Sequence, residues 1–421
     1  MYLLRHIPFL RAVLSYSMTA FGGPQVAVAL MQNRFVQKRK DVTSEELLEY
    51  NAFCQLLPGA SATQTITLIA YKRGGTTLAF ITLLVWILPA TILMTSLAII
   101  TTHFELTQGL KSLVLLQPMA VGFLASAALL LYKKVIKSTI TFFIFLATAI
   151  ITYIGFKTPW TIPIIIMLAG IITNFSGKRI PNDGPPPKKV QWSGLFIFIF
   201  LFIGAGFLSE QATRQNWEYR KAFNLFENNY RFGSLVFGGG DVLIPIMYEQ
   251  YVSRPKSAVV KKNKRDVLKL TSAEFLTGSG FVRAIPGPIF SIASYTGALV
   301  LKERGISGQI LGAVIASVGV FFPSFLIVLF FFPLWQKLQK YAVFYRSLEG
   351  INASIVGIMI GSTFYLLKDV VMQLQMGGAI HWITFPIVFL ASTFLLYYQK
   401  LAPQWIALSC VGIGTVVYLL F

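Results

Sequence analysis

Two short stretches of this apolar chain interrupt themselves in the same way: FCQLLPGASATQT, from Phe53 to Thr65, and FVRAIPGPIFSIA, from Phe281 to Ala293. In each, apolar residues lead into Pro-Gly and small or hydroxyl residues lead out. Proline lacks an N–H and clashes with the preceding turn, so a helix ends or kinks there. Glycine then supplies permissive dihedrals. Each break is therefore expected to join two half-helices, the second presenting free N–H groups and the positive end of its dipole. That arrangement favours an anion. The candidate binding residues are Pro58, Gly59, Ala60 and Ser61 at the first break and Pro286, Gly287, Pro288 and Ser291 at the second, with Gln55, Gln64 and the Thr63 hydroxyl as further donors. A second pair of breaks, FGGPQ and FGGGD, adds Gly22, Gly23, Pro24 and Gln25 and, later in the chain, Gly238, Gly239 and Gly240. Four half-helix N-termini are expected to converge on one central cavity. Close-packing glycines and plain kinks are the structural alternative, since Gly and Pro are common in membrane helices.

Ionisable residues near these breaks are few, and inside a membrane such residues are functional suspects. Arg283 stands three residues before Pro286, where the first copy has Gln55. Its guanidinium offers a planar fork of donors suited to a tetrahedral oxyanion; a structural pair with Asp241, or snorkelling, is the alternative. Asp241 follows the three glycines directly. It is either an N-cap or a proton-coupling carboxylate. Lone glutamines in membrane helices also act as interhelical glue. Glu46 and Glu274 are explained by helix capping, and Lys72 and Lys302 by snorkelling.

The elements that must position these residues follow from simple patterns. Thr43-x-x-Glu46 and Thr271-x-x-Glu274 both have the form of a capping box. The helix after each runs about three to four turns before Pro-Gly, too short for a hydrocarbon core of about 30 Å. Second pieces are expected over Ala60 to Tyr71 and Ile289 to Leu301. Of the 421 residues, 55% are hydrophobic and 12% charged, against roughly 25% charged in soluble domains. Apolar runs of spanning length, about 17–25 residues, include Thr77–Thr101, Leu110–Tyr132, Ser138–Phe156, Pro159–Phe175, Ser193–Ser209, Ile306–Pro333, Ser347–Leu367, Ile380–Tyr397 and Ala402–Phe421. The expected fold is an all-α polytopic membrane protein. The net charge of +20 collects in short loops such as Arg34–Lys40 and Arg254–Lys269. Basic loops of this kind mark the cytoplasmic side and meet anionic lipid there. The lipid bilayer is thus the expected partner, nucleic acid is not, and a homodimer is an open possibility. No cleaved signal peptide is expected. Two apolar-flanked cysteines, Cys54 and Cys410, and the scattered His6, His103 and His381 suggest neither disulfide, metal site nor cofactor.

The chain also repeats itself. FGGP at Phe21 answers FGGG at Phe237, TSEEL at Thr43 answers TSAEF at Thr271, and LPGA at Leu57 answers IPGP at Ile285. The last two pairs share one offset, and the first pair has a shorter one, which places the extra residues of the second copy in Arg254–Lys269. LPA at Leu88 and FPS at Phe322 extend the match. Internal duplication is a common plan of secondary transporters. The expected domains are an N-terminal transmembrane repeat over 1–177, a Pro-rich basic linker over 178–192 and a C-terminal transmembrane repeat over 193–421. Basic loops at equivalent places suggest parallel repeats. A re-entrant hairpin over Phe223–Val252 would instead make them inverted, the choice favoured here by analogy with other transporters.

Taken in order, FGGPQ, CQLLPGASATQ and WILPA, then FGGGD, AIPGP and FFPS, resemble the hallmarks of the chromate transporter family in its long, two-domain form. The resemblance covers essentially the whole chain. It departs at Ala60, where a second Pro would be usual, and at Gly240, which replaces Pro. It implies a secondary transporter moving chromate, with sulfate as a second candidate, out across the cytoplasmic membrane, driven by the proton gradient or membrane potential. An intramembrane protease is disfavoured: no His lies near Ser61, and HExxH is absent. An anion channel, or an exporter of another small anion, is the alternative, because pores use the same helix ends.

Overall fold

The computed structural model describes residues 2–21, 24–106, 113–156, 161–174, 192–237, 239–257, 260, 267–335, 342–374, 379–399 and 401–420. Residues 178–191 of the expected linker lie outside them, as do Gly22, Gly23 and Gly238. All described regular elements are helices. Among them, five are long and apolar enough to cross a membrane: Ser61–His103, Leu116–Val135, Trp192–Arg214, Lys302–Leu334 and Arg346–Met372. The remaining expected runs correspond to shorter apolar helices, including Thr139–Gly155 and Thr161–Thr173.

The first half opens with α1 (Tyr2–Ser17), α2 (Pro24–Met31) and α3 (Ser44–Leu56). Helix α2 runs on as a π-helical stretch over Gln32–Lys38. Thr43 and Glu46 close both bonds of the capping box, at 3.1 and 2.9 Å, which fixes where α3 starts. Its last residue, Leu56, precedes the Pro-Gly break, so two sequence signals set both ends. Helix α4 (Ser61–Leu106) then begins, and Gly74 and Gly75 kink it sharply, Gly75 at φ +67°. A helical piece thus follows the break from Ser61 and ends in a glycine turn. Lys72, just before that turn, reaches out of the helix and meets the Glu46 carboxylate at 2.6 Å. Helices α5 (Leu116–Val135), α6 (Thr139–Gly155) and α7 (Thr161–Thr173) complete this half.

The second half repeats the order after one further helix, α8 (Trp192–Arg214). Helices α9 (Arg220–Leu235), α10 (Gly240–Tyr248) and α11 (Ser272–Ala284) correspond to α1 to α3. A π-helical stretch again follows, over Glu249–Ser253. Glu274 and Thr271 form the same two capping bonds, at 2.7 and 3.1 Å. Past the second break, a 3-10 turn over Ile289–Ser291 leads into α12 (Ile292–Val300). Gly305, at φ +72°, then turns the chain into α13 (Gly305–Phe331). The long helix of each half carries an internal proline, Pro89 or Pro323. Helices α14 (Ala342–Leu374), α15 (Ala379–Tyr397) and α16 (Pro403–Leu420) end the chain.

Two compact units form, and each draws on both halves of the sequence. The first comprises Met1–Thr107, Lys189–Gly240 and Phe281–Pro333; the second comprises Gln108–Lys188, Asp241–Gly280 and Leu334–Phe421. The first unit holds both Pro-Gly breaks. In it α1 packs on α4, with Tyr16 stacked on Trp86 at 4.6 Å and the Ser17 hydroxyl donating to the Trp86 carbonyl at 2.7 Å. At the matching place in the second copy, Gly233 lets α9 rest on the Val320 carbonyl of α13. In the second unit α14 packs on α6 and α7 around Ile144, Ala169 and Ala353, and the Thr173 hydroxyl accepts the Gly350 N–H at 3.1 Å.

Candidate functional site

The two Pro-Gly breaks are bonded reciprocally. Gly59 N–H donates to the Val236 carbonyl at 2.8 Å, and Gly287 N–H donates to the Ala20 carbonyl at 3.0 Å. Val236 and Ala20 each stand immediately before a Phe-Gly-Gly motif. Each break therefore leans on the other half's FGG segment. Both glycines adopt positive φ, +113° at Gly59 and +120° at Gly287, a region L-residues rarely enter. Neither has room for a side chain. A Cβ on Gly59 would collide with the Ser324 hydroxyl, and one on Gly287 would lie 2.6 Å from the Ala90 Cβ. Ser324 and Ala90 both follow the proline of a long helix, so this contact is reciprocal too.

One difference between the two copies is a matched exchange. Ala60 N–H donates to the Ser324 hydroxyl at 3.1 Å. In the second copy Pro288 has no N–H to donate and Ala90 no hydroxyl to accept it. Donor and acceptor are present together or missing together, which gives a physical reason for Ala60. Ser324→Ala should cost about 1–3 kcal/mol, the weight of one buried donor left without an acceptor. Ala60→Pro added to it should recover most of that loss, because it removes the donor as well. Thermal unfolding of both variants in detergent checks this: a double variant no more stable than Ser324→Ala would contradict it.

A small, partly open cavity of about 30 Å³ lies between the breaks within the first unit. All four broken segments line it: Ser61 to Thr63 from α4, Pro288 to Phe290 after the second break, Ala27 from α2 and Gly240 from α10. Its size suits a compact species, far below the roughly 300–1,000 Å³ of sites for drug-sized ligands. Among the described residues no charged side chain lines it. The first-turn N–H groups of a helix have no intrahelical acceptor, and the helix dipole places roughly +0.5 charge there. At α4 those groups belong to Ser61, Ala62 and Thr63, all on the cavity wall. The electrostatics are therefore those of an anion cradle.

The expected site residues are sorted by this geometry. Ala60, Ser61, Gly240, Gly287 and Pro288 line the cavity, and Pro58, Gly59 and Pro286 shape the turns beside it. Gln64 does not line it; its amide donates to the Pro58 carbonyl at 2.8 Å and the Ser324 carbonyl at 3.3 Å, tying the break to α13. Ser291 donates its hydroxyl to the Pro288 carbonyl at 2.7 Å. Gln55 is exposed on the last turn of α3. Arg283 is half-buried on the last turn of α11 and is not on the cavity wall. Asp241 is buried in the first turn of α10; it belongs to the second unit and Arg283 to the first. Pro24 and Gln25 open α2 as backbone positions, while Gly22, Gly23 and Gly238 lie outside the described residues. Gly239 sits at φ +81° just before α10. Sequence reasoning missed Trp86 and Ala20. The signal for Trp86 was its place inside a long helix, since membrane tryptophans favour the two interfaces.

The family model described as chromate transporter matches residues 7–174 and 223–415. An uncharacterized transporter of Methanocaldococcus jannaschii is 26% identical over 95% of this chain and 92% of its own length. A chromate transport protein of Cupriavidus metallidurans is 22% identical over 94% of this chain and 90% of its own. A second protein of that name, from Pseudomonas aeruginosa, is 21% identical over 84% and 79%. No solved structure gives a significant match.

Proposed function

The chain belongs to the chromate transporter family, a family of multi-pass membrane transporters and not of enzymes, and on that premise we propose that it carries a small inorganic oxyanion across the cytoplasmic membrane. Chromate is the first candidate and sulfate the second, a pair of similar shape and charge. The proposed mode is efflux by alternating access, driven by the proton gradient or the membrane potential, through two inverted repeats whose broken helices re-enter the membrane. Asp241 is the candidate coupling carboxylate.

One observation carries this reading: residues following both Pro-Gly breaks line one cavity together with Ala20, Ala27 and Gly240, and its polar lining is the start of α4. Such a site offers donors and positive dipole ends to an anion without any metal. The equivalent bonds from Gly59 to Val236 and from Gly287 to Ala20 support the repeat. Matched broken helices favour a carrier over a fixed pore. In proteoliposomes, unlabelled sulfate should compete with labelled chromate and organic cations should not, and counter-ion gradients should drive accumulation uphill. Organic-cation transport without any oxyanion effect would overturn the reading, and strictly downhill flux would make the protein a channel.

A further inference from the structure

Thr63 differs from the other hydroxyls of its helix. Thr65 and Thr67 donate to the carbonyls one turn behind them, those of Ser61 and Thr63, each at 2.8 Å. Thr63 stands in the first turn of α4, so the residue four behind it is Gly59, inside the break and outside helical geometry. The Ala60 carbonyl, three behind, takes the Gln64 N–H at 2.9 Å. Instead, the Thr63 oxygen faces Trp86, whose Nε1–H lies 3.0 Å away. An indole nitrogen only donates, so in this bond Thr63 is the acceptor. Its own proton must point elsewhere, and among the described residues it meets no acceptor. Thr63 is 2% exposed and lines the cavity.

Trp86 is held in place by two further contacts. It stacks on Tyr16, whose own hydroxyl donates to the Ala27 carbonyl at 3.1 Å, and its carbonyl accepts the Ser17 hydroxyl. The second copy has no such device. Ser291, in Thr63's place, already donates to Pro288, and Val320, in Trp86's place, carries no donor.

We propose that Thr63 is a specificity-determining residue of the oxyanion site: Trp86 fixes the Thr63 oxygen as an acceptor, so that its proton is donated into the cavity to an unprotonated ligand oxygen. The two halves of the site are then chemically unequal, with the side-chain donor supplied by the first copy alone. This deepens the oxyanion reading and rests on it.

The test is equilibrium binding of labelled sulfate and of chromate to the purified full chain in detergent. Thr63→Val keeps the shape and removes the donor; it should weaken binding roughly 10- to 100-fold, the weight of one hydrogen bond to a charged group. Thr63→Ser should stay close to wild type, and so should Ser291→Ala. Trp86→Phe should weaken binding by releasing the hydroxyl to rotate. Thr63→Val leaves the Trp86 N–H without its acceptor, so the double variant Thr63→Val with Trp86→Phe guards against misfolding. It should bind as weakly as Thr63→Val. Wild-type affinity in either variant lacking the hydroxyl, or an equal loss in Ser291→Ala, would overturn the assignment. Failure of the wild-type protein to bind either anion would instead overturn the oxyanion reading itself.

Discussion

A Gly59→Ala protein should fold poorly and lose oxyanion transport, and Gly287→Ala should do the same. Both residues sit at φ well above +100°, where a Cβ is strained by about 1–3 kcal/mol. Both also lack room. The new methyl would meet Ser324 at one break and Ala90 at the other, and overpacking of this kind costs about 1–3 kcal/mol more. The sum, about 2–6 kcal/mol, is a large part of the usual folding margin. Moreover, each glycine donates the N–H that ties its break to the opposite FGG segment, so any relief of the strain would open the cavity wall. Gly75 is the control. It also has positive φ, +67°, but a Cβ there would meet nothing within 4 Å, so Gly75→Ala should carry the backbone strain alone, about 1–3 kcal/mol, without the overpacking. Thermal melts and transport assays on the three variants check this ordering. Equal tolerance at Gly59 and Gly75 would contradict it.

Arg283→Gln is expected to cut oxyanion transport by tens- to thousands-fold while leaving the protein inserted. Gln is the residue at the equivalent place in the first copy, Gln55, so the scaffold should accept it. Arg283 sits on the last turn of α11, where a cation also favours the helix dipole by about 0.3–1 kcal/mol. If that were its whole role, the variant would melt slightly earlier and transport normally. A desolvated charge contact to the dianion is instead worth about 2–5 kcal/mol. Arg283 is off the cavity wall, so if it acts on the anion the loss should appear in transport rate more than in equilibrium affinity. Lysine should rescue in part, keeping the charge and losing the fork. Normal transport by Arg283→Gln would remove this role.

Much of this architecture was legible because local chemistry wrote it. The Thr-x-x-Glu boxes set the starts of α3 and α11, Pro-Gly set their ends, and the shared offsets exposed the repeat. What the sequence hid was non-local. That Gly59 would bond to Val236, or that Ala60 and Ser324 form a pair, depends on segments hundreds of positions apart brought together by packing. The same is true of roles within the site. Gln64 and Ser291 have the right chemistry for a ligand, but nearby carbonyls claim their donors. Thr63 looked like its neighbours until the Trp86 nitrogen fixed which way its hydroxyl points. The compact units were hidden as well, since each is assembled from both halves.

An oxyanion held in the cavity at the start of α4 should shield a single cysteine placed there from thiol reagents. Ser61→Cys is introduced after the two native cysteines, both buried, are replaced by alanine, with Asn216→Cys in an exposed loop as control. Chromate and sulfate should slow labelling of position 61 by a small thiol reagent, in proportion to their occupancy, and leave position 216 unaffected. Labelling of position 61 at the same rate with and without either anion would contradict the account.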